Sequence, residues 1–253
     1  MAMKKVLVTG ATGRTGSIVL QKLRDRNDVF EAMGFARSPE KAKERFGATD
    51  GFVFGDIRDR VSLNSALQGC QALVILTSAV PQPLSPPQPG QRPDMGFAPG
   101  GTPEEVDYRG QLNQIDAAKE AGVEQIVLVG SMGGTDENHF LNSIGNGKIL
   151  IWKRKAEAYL IESGIDYTII RAGGLLDEPG GQRELLVGQD DTLLTNPPNG
   201  IKPSIPRADV AELVVRAVLE PNARNKAFDT ISNPEGEVTR DFAALFSQTT
   251  PGL

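Results

Sequence analysis

The chain has 253 residues, of which 39% are hydrophobic, 23% charged and 6% aromatic. This length is typical of a single α/β domain, here residues 1–253, rather than two independent domains. The 27 basic and 32 acidic side chains give a net charge of −5 without a basic run, so binding to nucleic acid or to an anionic membrane is not expected. The only cysteine, Cys70, and the only histidine, His139, exclude an internal disulfide and a metal site rich in Cys or His.

The start of the chain leads directly into a predicted strand, and no apolar run reaches the length of a membrane span. This pattern predicts no signal or transit peptide and a cytoplasmic location. The chloroplast stroma is the alternative, if a transit peptide has been removed.

Apolar runs of strand length alternate with amphipathic stretches of helix length. The predicted strands are Val6–Thr9, Ala32–Ala36, Phe52–Phe54, Ala72–Leu76, Gln125–Val129, Tyr167–Ile170 and Ala227–Ile231. The predicted helices are Thr15–Arg26, Pro39–Phe46, Val61–Gln68, Glu104–Ala121, Lys148–Ser163 and Arg207–Leu219. Several strands are continuous apolar runs, which is typical of strands buried on both faces. The alternation predicts an α/β fold with a doubly wound parallel sheet, the Rossmann fold, and a small C-terminal substrate lobe.

Three segments interrupt this alternation. Residues 79–103 contain 8 of the 17 prolines, residues 132–147 are rich in Gly and Asn, and residues 172–206 combine Gly, Pro and acidic residues around a short Leu185–Val187 run. The proline-rich segment is not expected to be regular structure; it is either a lid or a surface loop. All three segments follow predicted strands of a parallel sheet. They are therefore expected to meet at its carboxyl edge, where ligands bind in such folds.

The loop between the first strand and the first helix has the spacing G-x-x-G-x-x-G, formed by Gly10, Gly13 and Gly16. The first glycine permits a tight turn, the second lets a diphosphate approach the backbone, and the third lets the helix pack against the strand. Thr12 and Thr15 lie in the same loop, where N–H groups at the helix start are available to phosphate oxygens. The loop predicts a dinucleotide site.

The residue after the second strand distinguishes the two nicotinamide cofactors. An acidic residue there would bind the ribose hydroxyl of NAD, but the sequence has Arg37. Arg37, flanked by Arg14 of the glycine loop, is suited to a 2′-phosphate. The sequence therefore predicts NADP(H) in preference to NAD(H).

Further cofactor contacts are predicted where other strands end. Asp56 and Ile57 follow the third strand, on the adenine side; Asp56 is equally well explained as the acidic residue of a helix N-terminus. The other predicted contacts are Leu76, Thr77 and Ser78 around the end of the fourth strand, and Ala172, Gly173 and Gly174 after the sixth.

Matching stretches spread over most of the chain are Val8–Gly16, Gly55–Ile57, Ala72–Leu76, Val129–Met132, Lys155–Glu157, Thr168–Ala172 and Pro206–Val210. In these stretches the sequence resembles the atypical short-chain dehydrogenase/reductases and the related NmrA-like regulators. It looks closest to a plant and cyanobacterial group of small members, and it is similar to the dehydrogenase-like part of a chloroplast inner-envelope translocon component. The resemblance implies an NAD(P)-binding fold and leaves the reaction open, because function depends on the site.

The resemblance also implies a catalytic pattern of Ser, Tyr and Lys, with Tyr four residues before Lys. Ser131 and Lys155 match this pattern, but Ile151 stands at the tyrosine position, and its neighbour Trp152 cannot release a proton at useful pH. The usual proton donor is therefore missing. Lys155 would still bind the ribose hydroxyls of the cofactor.

Other side chains are candidates for the missing donor. Tyr159 shares a helix face with Lys155 but lies one turn towards the wrong end, and Tyr167 is expected in the core. Tyr108 follows Asp107, which stands where related proteins have an asparagine, and from there a side chain could reach the pocket. His139 would suit neutral pH as a general acid, although a surface position is the more common one.

Three functions are compatible with these features. The favoured one is an NADP(H)-dependent oxidoreductase for an unidentified small organic molecule, working without the usual tyrosine. The second is a non-catalytic NADP(H) redox sensor that regulates a protein partner. The third is an interaction module that docks a partner through its proline-rich segment.

Overall fold

A computed structural model describes residues 3–86 and 93–252 of the protein. Residues 87–92 of the proline-rich segment, with Pro87 and Pro89, lie outside the described residues. The strands are β1 (Lys4–Thr9), β2 (Phe30–Ala36), β3 (Phe52–Phe54), β4 (Ala72–Ile75), β5 (Gln82–Pro83), β6 (Met95–Gly96), β7 (Gln125–Ser131), β8 (Asp166–Ala172), β9 (Gly174–Leu176), β10 (Glu184–Gly188), β11 (Ser204–Pro206) and β12 (Lys226–Asn233).

The helices cover the two faces of the sheet and the loops at its carboxyl edge. They are α1 (Arg14–Arg24), α2 (Pro39–Phe46), α3 (Arg60–Ala66), α4 (Gly110–Glu120), α5 (Phe140–Ser143), α6 (Ile149–Glu162), α7 (Thr192–Thr195), α8 (Arg207–Leu219) and α9 (Phe242–Ser247). One π-helical stretch, Glu104–Arg109, leads directly into α4.

Eight strands form one sheet in the order β10-β12-β8-β7-β4-β1-β2-β3, and all neighbours are parallel except β10 and β12. This confirms the predicted doubly wound parallel sheet. Strand β1 pairs with β2 on one side and β4 on the other, so the chain reverses its winding direction there. A crevice opens outside the carboxyl ends of strands at such a switch point.

The continuous apolar strands are explained by two hydrophobic layers, one on each face of the sheet. Val6 and Val8 of β1 pack with side chains of α1 and α8, whereas Leu7 between them packs with side chains of α3, α4 and α6. Successive side chains of a strand point to opposite faces, so a strand covered on both sides must be apolar at every position.

The predicted strands and helices are all found, with ends shifted by at most two residues. The structure also contains elements that the sequence does not predict, among them β9, β11, α5, α7 and α9. The Leu185–Val187 run lies in the antiparallel edge strand β10. This strand is not predicted, because a run this short does not reveal its pairing partner. Part of the proline-rich segment is regular after all, since β5 pairs with β6. The predicted helix Glu104–Ala121 opens with a π-helical turn.

The glycine loop packs too closely for side chains at two of its positions. Gly10 has φ +67°, and a Cβ there would lie 2.7 Å from the Leu76 carbonyl oxygen at the end of β4. A Cβ on Gly16 would lie 2.1 Å from the Gly10 carbonyl oxygen. The loop therefore lies directly between β4 and the start of α1.

We expect Gly16→Ala to lower the free energy of unfolding by about 1–3 kcal/mol, because the added methyl group must displace the loop or the helix. Ser17→Ala, one residue further along α1, is the matched control, since its hydroxyl makes only a 3.4 Å hydrogen bond to the Arg14 carbonyl. Urea unfolding of both variants measures the difference. Equal stability of the two variants would contradict the close packing.

Candidate functional site

The start of α1 has N–H groups that are available to a ligand. The helix begins after Gly13, which provides no side-chain cap, and its first turn carries no acidic residue. Among the described residues, no acceptor takes a hydrogen bond from the N–H groups of Arg14, Thr15 or Gly16. These groups and the helix dipole make the helix start partly positive, so it is suited to the phosphate oxygens of a dinucleotide.

The adenosine side of the crevice carries arginines at the ends of β2 and β3. Arg37 is exposed directly after β2. Arg58 donates to both carboxylate oxygens of Asp56, at 3.0 and 2.7 Å, and to the Gly100 carbonyl at 2.9 Å. Its hydrogen bonds, with a smaller contribution from Arg37, lower the pKa of Asp56. The alternative role of Asp56 as a helix N-terminal acid is wrong, because Asp59 caps α3.

Arg14 reaches across the crevice instead of lying beside Arg37. Its guanidinium pairs with Asp177, just beyond β9. Asp177 also accepts a hydrogen bond from Arg207 at 2.7 Å. The glycine loop and the 172–206 segment are thus joined by an arginine–aspartate–arginine bridge.

A cavity of about 700 Å³ opens at the carboxyl edge of the sheet. It begins at Thr15 of α1 and is lined by side chains from all three irregular segments: Phe97 from the first, Met132 from the second and Leu194 from the third. The expectation that these segments meet at one edge is therefore confirmed. Most of the lining is aliphatic or aromatic, so the cavity suits an apolar molecule.

Many residues predicted to contact the cofactor lie along this cavity. Those that line it are Thr15, Leu76, Ser78, Ser131, Ala172, Gly173 and Gly174. Thr77 is directed elsewhere and accepts a hydrogen bond from Gln114. Ile57 is buried beside Gly110 at the start of α4.

Lys155 does not lie at the cavity. It is exposed, and its ammonium group lies 4.4 Å from the centre of the Trp152 ring. Lys153 lines the cavity instead and is only 7% exposed. Residues two positions apart on a helix point about 200° apart, so only one of the two lysines can face the cavity. The place assigned to Lys155 is therefore taken by Lys153.

Lys153 is fixed by a buried carboxylate. Its ammonium group lies 2.6 Å from one oxygen of Asp107, and the other oxygen accepts the Ala79 N–H at 2.9 Å. Asp107 is fully buried and belongs to the π-helical turn before α4. It ties the lysine on α6 to the loop after β4. The sequence places Asp107 where related proteins have an asparagine that could reach the pocket, but it does not predict the pairing with Lys153, because a π-helical turn has no clear sequence signal.

None of the three tyrosines lines the cavity in the described part of the chain. Tyr167 is in the core, as expected, Tyr159 donates a hydrogen bond to Asp116, and Tyr108 packs on the Trp152 ring. The residue one turn before Lys153 is Ile149, which lines the cavity. An apolar side chain thus occupies the place of the usual tyrosine, although it is Ile149 and not Ile151.

His139 is the unexpected member of the site. It is half-buried and lines the cavity, whereas a surface position was favoured from the sequence. Its Nδ1 accepts the Leu141 N–H at 3.3 Å, which leaves the proton of the neutral ring on Nε2. Its position in a Gly- and Asn-rich loop gave no sign of burial.

A buried charge cluster lies behind the cavity wall and consists of Glu157, Arg171, Asp191 and Asp229. Each of the four is at most 1% exposed. Arg171 donates from Nε to Glu157 at 2.9 Å and approaches Asp229 at 4.0 Å. Burial raises the pKa of Asp229 from 3.8 to about 6. Asp229 therefore takes up a proton more readily than an ordinary aspartate does.

The fold and the site define a dinucleotide-binding protein. Residues 10–221 match the NAD(P)H-binding family model, so the chain belongs to that family. A sanguinarine reductase of Eschscholzia californica is 50% identical over 267 residues, covering 97% of this chain and 96% of the relative. These matches confirm the resemblance to the atypical short-chain dehydrogenase/reductases.

Two further similarities concern location and fold. An uncharacterized chloroplast protein of Arabidopsis thaliana, At2g37660, is 58% identical over 249 residues, covering 97% of this chain and 75% of the relative. This relative does not support the cytoplasmic prediction. The solved anaerobilin reductase ChuY of Escherichia coli O157:H7 is 21% identical, with a TM-score of 0.65 over 93% of this chain and all of that chain, and shares the fold.

No helix within residues 3–86 and 93–252 has the length and apolar character needed to span a bilayer.

Asp229 predicts a specific pH dependence of stability. The pKa of Asp229 in the folded protein is raised from 3.8 to about 6. Its favourable contribution to the free energy of unfolding is therefore complete below pH 3.8 and is lost as the pH rises through about 6. We expect Asp229→Asn to remove this loss. Its unfolding free energy relative to wild type should rise by up to about 3 kcal/mol between pH 4 and pH 8.

Urea unfolding across this pH range measures the effect. Asp50→Asn, at an exposed position, is the control and should leave the pH dependence unchanged. Parallel curves for wild type and Asp229→Asn would contradict the raised pKa.

Proposed function

We propose that the protein is an NADP(H)-dependent oxidoreductase that acts on a small, largely apolar organic molecule. The observation that carries the proposal is one continuous cavity, which begins at the phosphate-binding helix and ends among apolar side chains beside Lys153 and Ser131. Such a cavity can hold a nicotinamide ring and a second molecule side by side. The sanguinarine reductase among its relatives supports reduction as the type of reaction.

The proposed residue roles follow the cavity from one end to the other. The N–H groups at the start of α1 bind the diphosphate, and Ala172–Gly174 and Ser131 border the nicotinamide end. Lys153, held by Asp107, donates hydrogen bonds to the ribose hydroxyls. Bound NADPH supplies the hydride, while the chain orients the two reactants and excludes water.

A preference for NADP(H) over NAD(H) is part of the proposal. The position after β2 that would hold a ribose-binding acid is occupied by Arg37. Asp56, the acid that follows the next strand, is engaged by Nε and Nη2 of Arg58. Arg37 is therefore available to the 2′-phosphate.

The lack of a tyrosine at the cavity favours acceptors that need no proton from that residue. A quinone or another ring with an electron-poor carbon accepts a hydride directly, and water can protonate the product. Where the acceptor carries a carbonyl oxygen, the proposed role of His139 is to donate a hydrogen bond from Nε2 to that oxygen, while water supplies the proton. The proposed location is the chloroplast, and the chloroplast relative from Arabidopsis thaliana supports it.

A second candidate is a non-catalytic NADP(H) redox sensor. It is favoured by one observation: an apolar residue, Ile149, stands where the usual proton donor would be. A sensor would bind the cofactor and show no turnover with any acceptor.

Oxidation of NADPH by menadione, a quinone, tests the proposed activity. We expect steady turnover, and we expect Lys153→Met to lower kcat/KM by about 10- to 100-fold, since it removes charge-assisted hydrogen bonds to the cofactor. Lys155→Met is the matched control on the same helix. It should stay within about twofold of wild type, because Lys155 is exposed.

Three outcomes of these experiments distinguish between the two proposed functions and test the assignment of Lys153. Equal losses in both lysine variants would contradict the assignment of Lys153. Tight NADPH binding without turnover, repeated with flavin and carbonyl acceptors, would favour the sensor. Absence of NADPH binding would contradict both proposals.

The cofactor preference is tested by calorimetric titration of Arg37→Ala. We expect NADP⁺ to bind about 10- to 100-fold more weakly and NAD⁺ to be nearly unaffected, because the lost contact is to the 2′-phosphate. Arg45→Ala, an exposed arginine of α2, is the control for general charge effects. An equal loss for the two cofactors would show that Arg37 does not recognise the phosphate.

A further inference from the structure

Asp191 does not line the cavity, but it holds the loop that forms one of its walls. The residue is 1% exposed and lies next to α7. Its Oδ1 accepts the Gly133 N–H at 2.6 Å, and its Oδ2 accepts the Thr135 N–H at 2.8 Å and the Thr135 hydroxyl at 2.7 Å. One carboxylate thus satisfies three donors of the loop that follows β7.

This loop carries residues that line the cavity. Ser131 and Met132, directly before Gly133, line the cavity. A Cβ on Gly133 would lie 3.0 Å from Nε2 of His139, so the loop backbone and the imidazole are in close contact. A shift of the loop would move all three cavity residues together.

The backbone at Asp191 is held in an uncommon conformation. Asp190 and Asp191 have φ values of +54° and +56°, in the left-handed region that L-residues seldom adopt. In this conformation the Asp191 N–H donates to Oδ2 of Asp229 at 2.7 Å, while the side chain points to the 133–135 loop. Two strained residues in succession persist only where the surrounding contacts hold them.

The protonation state of Asp191 agrees with this role. Burial alone would raise the pKa of Asp191, but the hydrogen bonds from Gly133 and Thr135 outweigh burial and lower it. The carboxylate therefore remains an acceptor for all three donors at neutral pH. Behind it, Asp229 connects the arrangement to Arg171 and Glu157 of the buried charge cluster.

We propose that Asp191 is a positioning residue for the substrate side of the cleft: it fixes Met132 and His139 against the bound substrate and leaves the diphosphate and adenosine contacts of the cofactor unaffected. This proposal rests on the proposed function. It joins two segments far apart in sequence, 132–147 and 172–206, into one substrate wall. The phosphate-binding helix and Arg37 lie on other elements and make no hydrogen bond with Asp191 in the described residues.

The test compares Asp191→Asn with Asp190→Asn. Asn has a single acceptor oxygen, and its NH₂ group would face one of the loop N–H groups. Asp190 is the matched control, because it has the same backbone conformation, is exposed and does not hold the loop. Amide hydrogen exchange of residues 133 and 135, followed by NMR, reports the loop without any turnover. Menadione KM and NADPH KM report the two halves of the cleft.

For Asp191→Asn we expect exchange at residues 133 and 135 to accelerate at least tenfold and the menadione KM to rise at least fivefold, with NADPH KM within twofold of wild type. Asp190→Asn should match wild type in all three measurements. Thr135→Val keeps the backbone and removes one donor from an exposed position, so it tests the same contact if Asp191→Asn does not fold. It should accelerate exchange at residue 133 at least threefold.

Unchanged exchange at residues 133 and 135 would overturn the proposal, and so would an equal rise of both KM values. If wild type does not reduce menadione, the proposed activity is contradicted for quinones. The exchange rates then still decide whether Asp191 holds the loop, because they require no substrate.

Discussion

The contact between the glycine loop and the end of β4 determines where the rest of the site lies. Gly10 and Gly16 let three backbone segments approach more closely than any side chain would permit. This approach places the open N–H groups of α1 at the switch point of the sheet, and the cavity extends from there along the carboxyl edge. Backbone geometry thus arranges the proposed phosphate site and the apolar end of the cavity along one line.

Two buried carboxylates organise the other end of the cavity. Asp107 fixes Lys153, and Asp191 fixes the loop of Ser131 and Met132. Removing charges from water is costly, so a buried ion pair is poor evidence for stability. Both carboxylates instead satisfy backbone N–H groups as well as side chains, which suits a role in holding parts of the site at fixed distances. This arrangement places polar groups accurately beside an otherwise apolar cavity.

The sequence predicted the features that depend on local pattern. These features are the continuous apolar strands, the glycine spacing and Arg37 after β2. Each can be recognised from residues that lie close together in the sequence. Prediction from the sequence failed where the position of a side chain depends on the rotational phase of its helix or on contacts between distant parts of the chain. Lys153 and Lys155 are chemically identical and two residues apart, and only the rotation of α6 about its axis decides which of them faces the cavity. His139 and Asp191 reach the cavity region through loops whose paths depend on tertiary packing.

A crystal structure grown with NADPH would show whether the cofactor lies along the cavity with its diphosphate at the start of α1. We expect diphosphate oxygens within hydrogen-bond distance of the N–H groups of Arg14, Thr15 and Gly16, and the nicotinamide ring beside Ser131 and Lys153. A fully occupied cofactor bound at another surface, with this cavity empty, would contradict it.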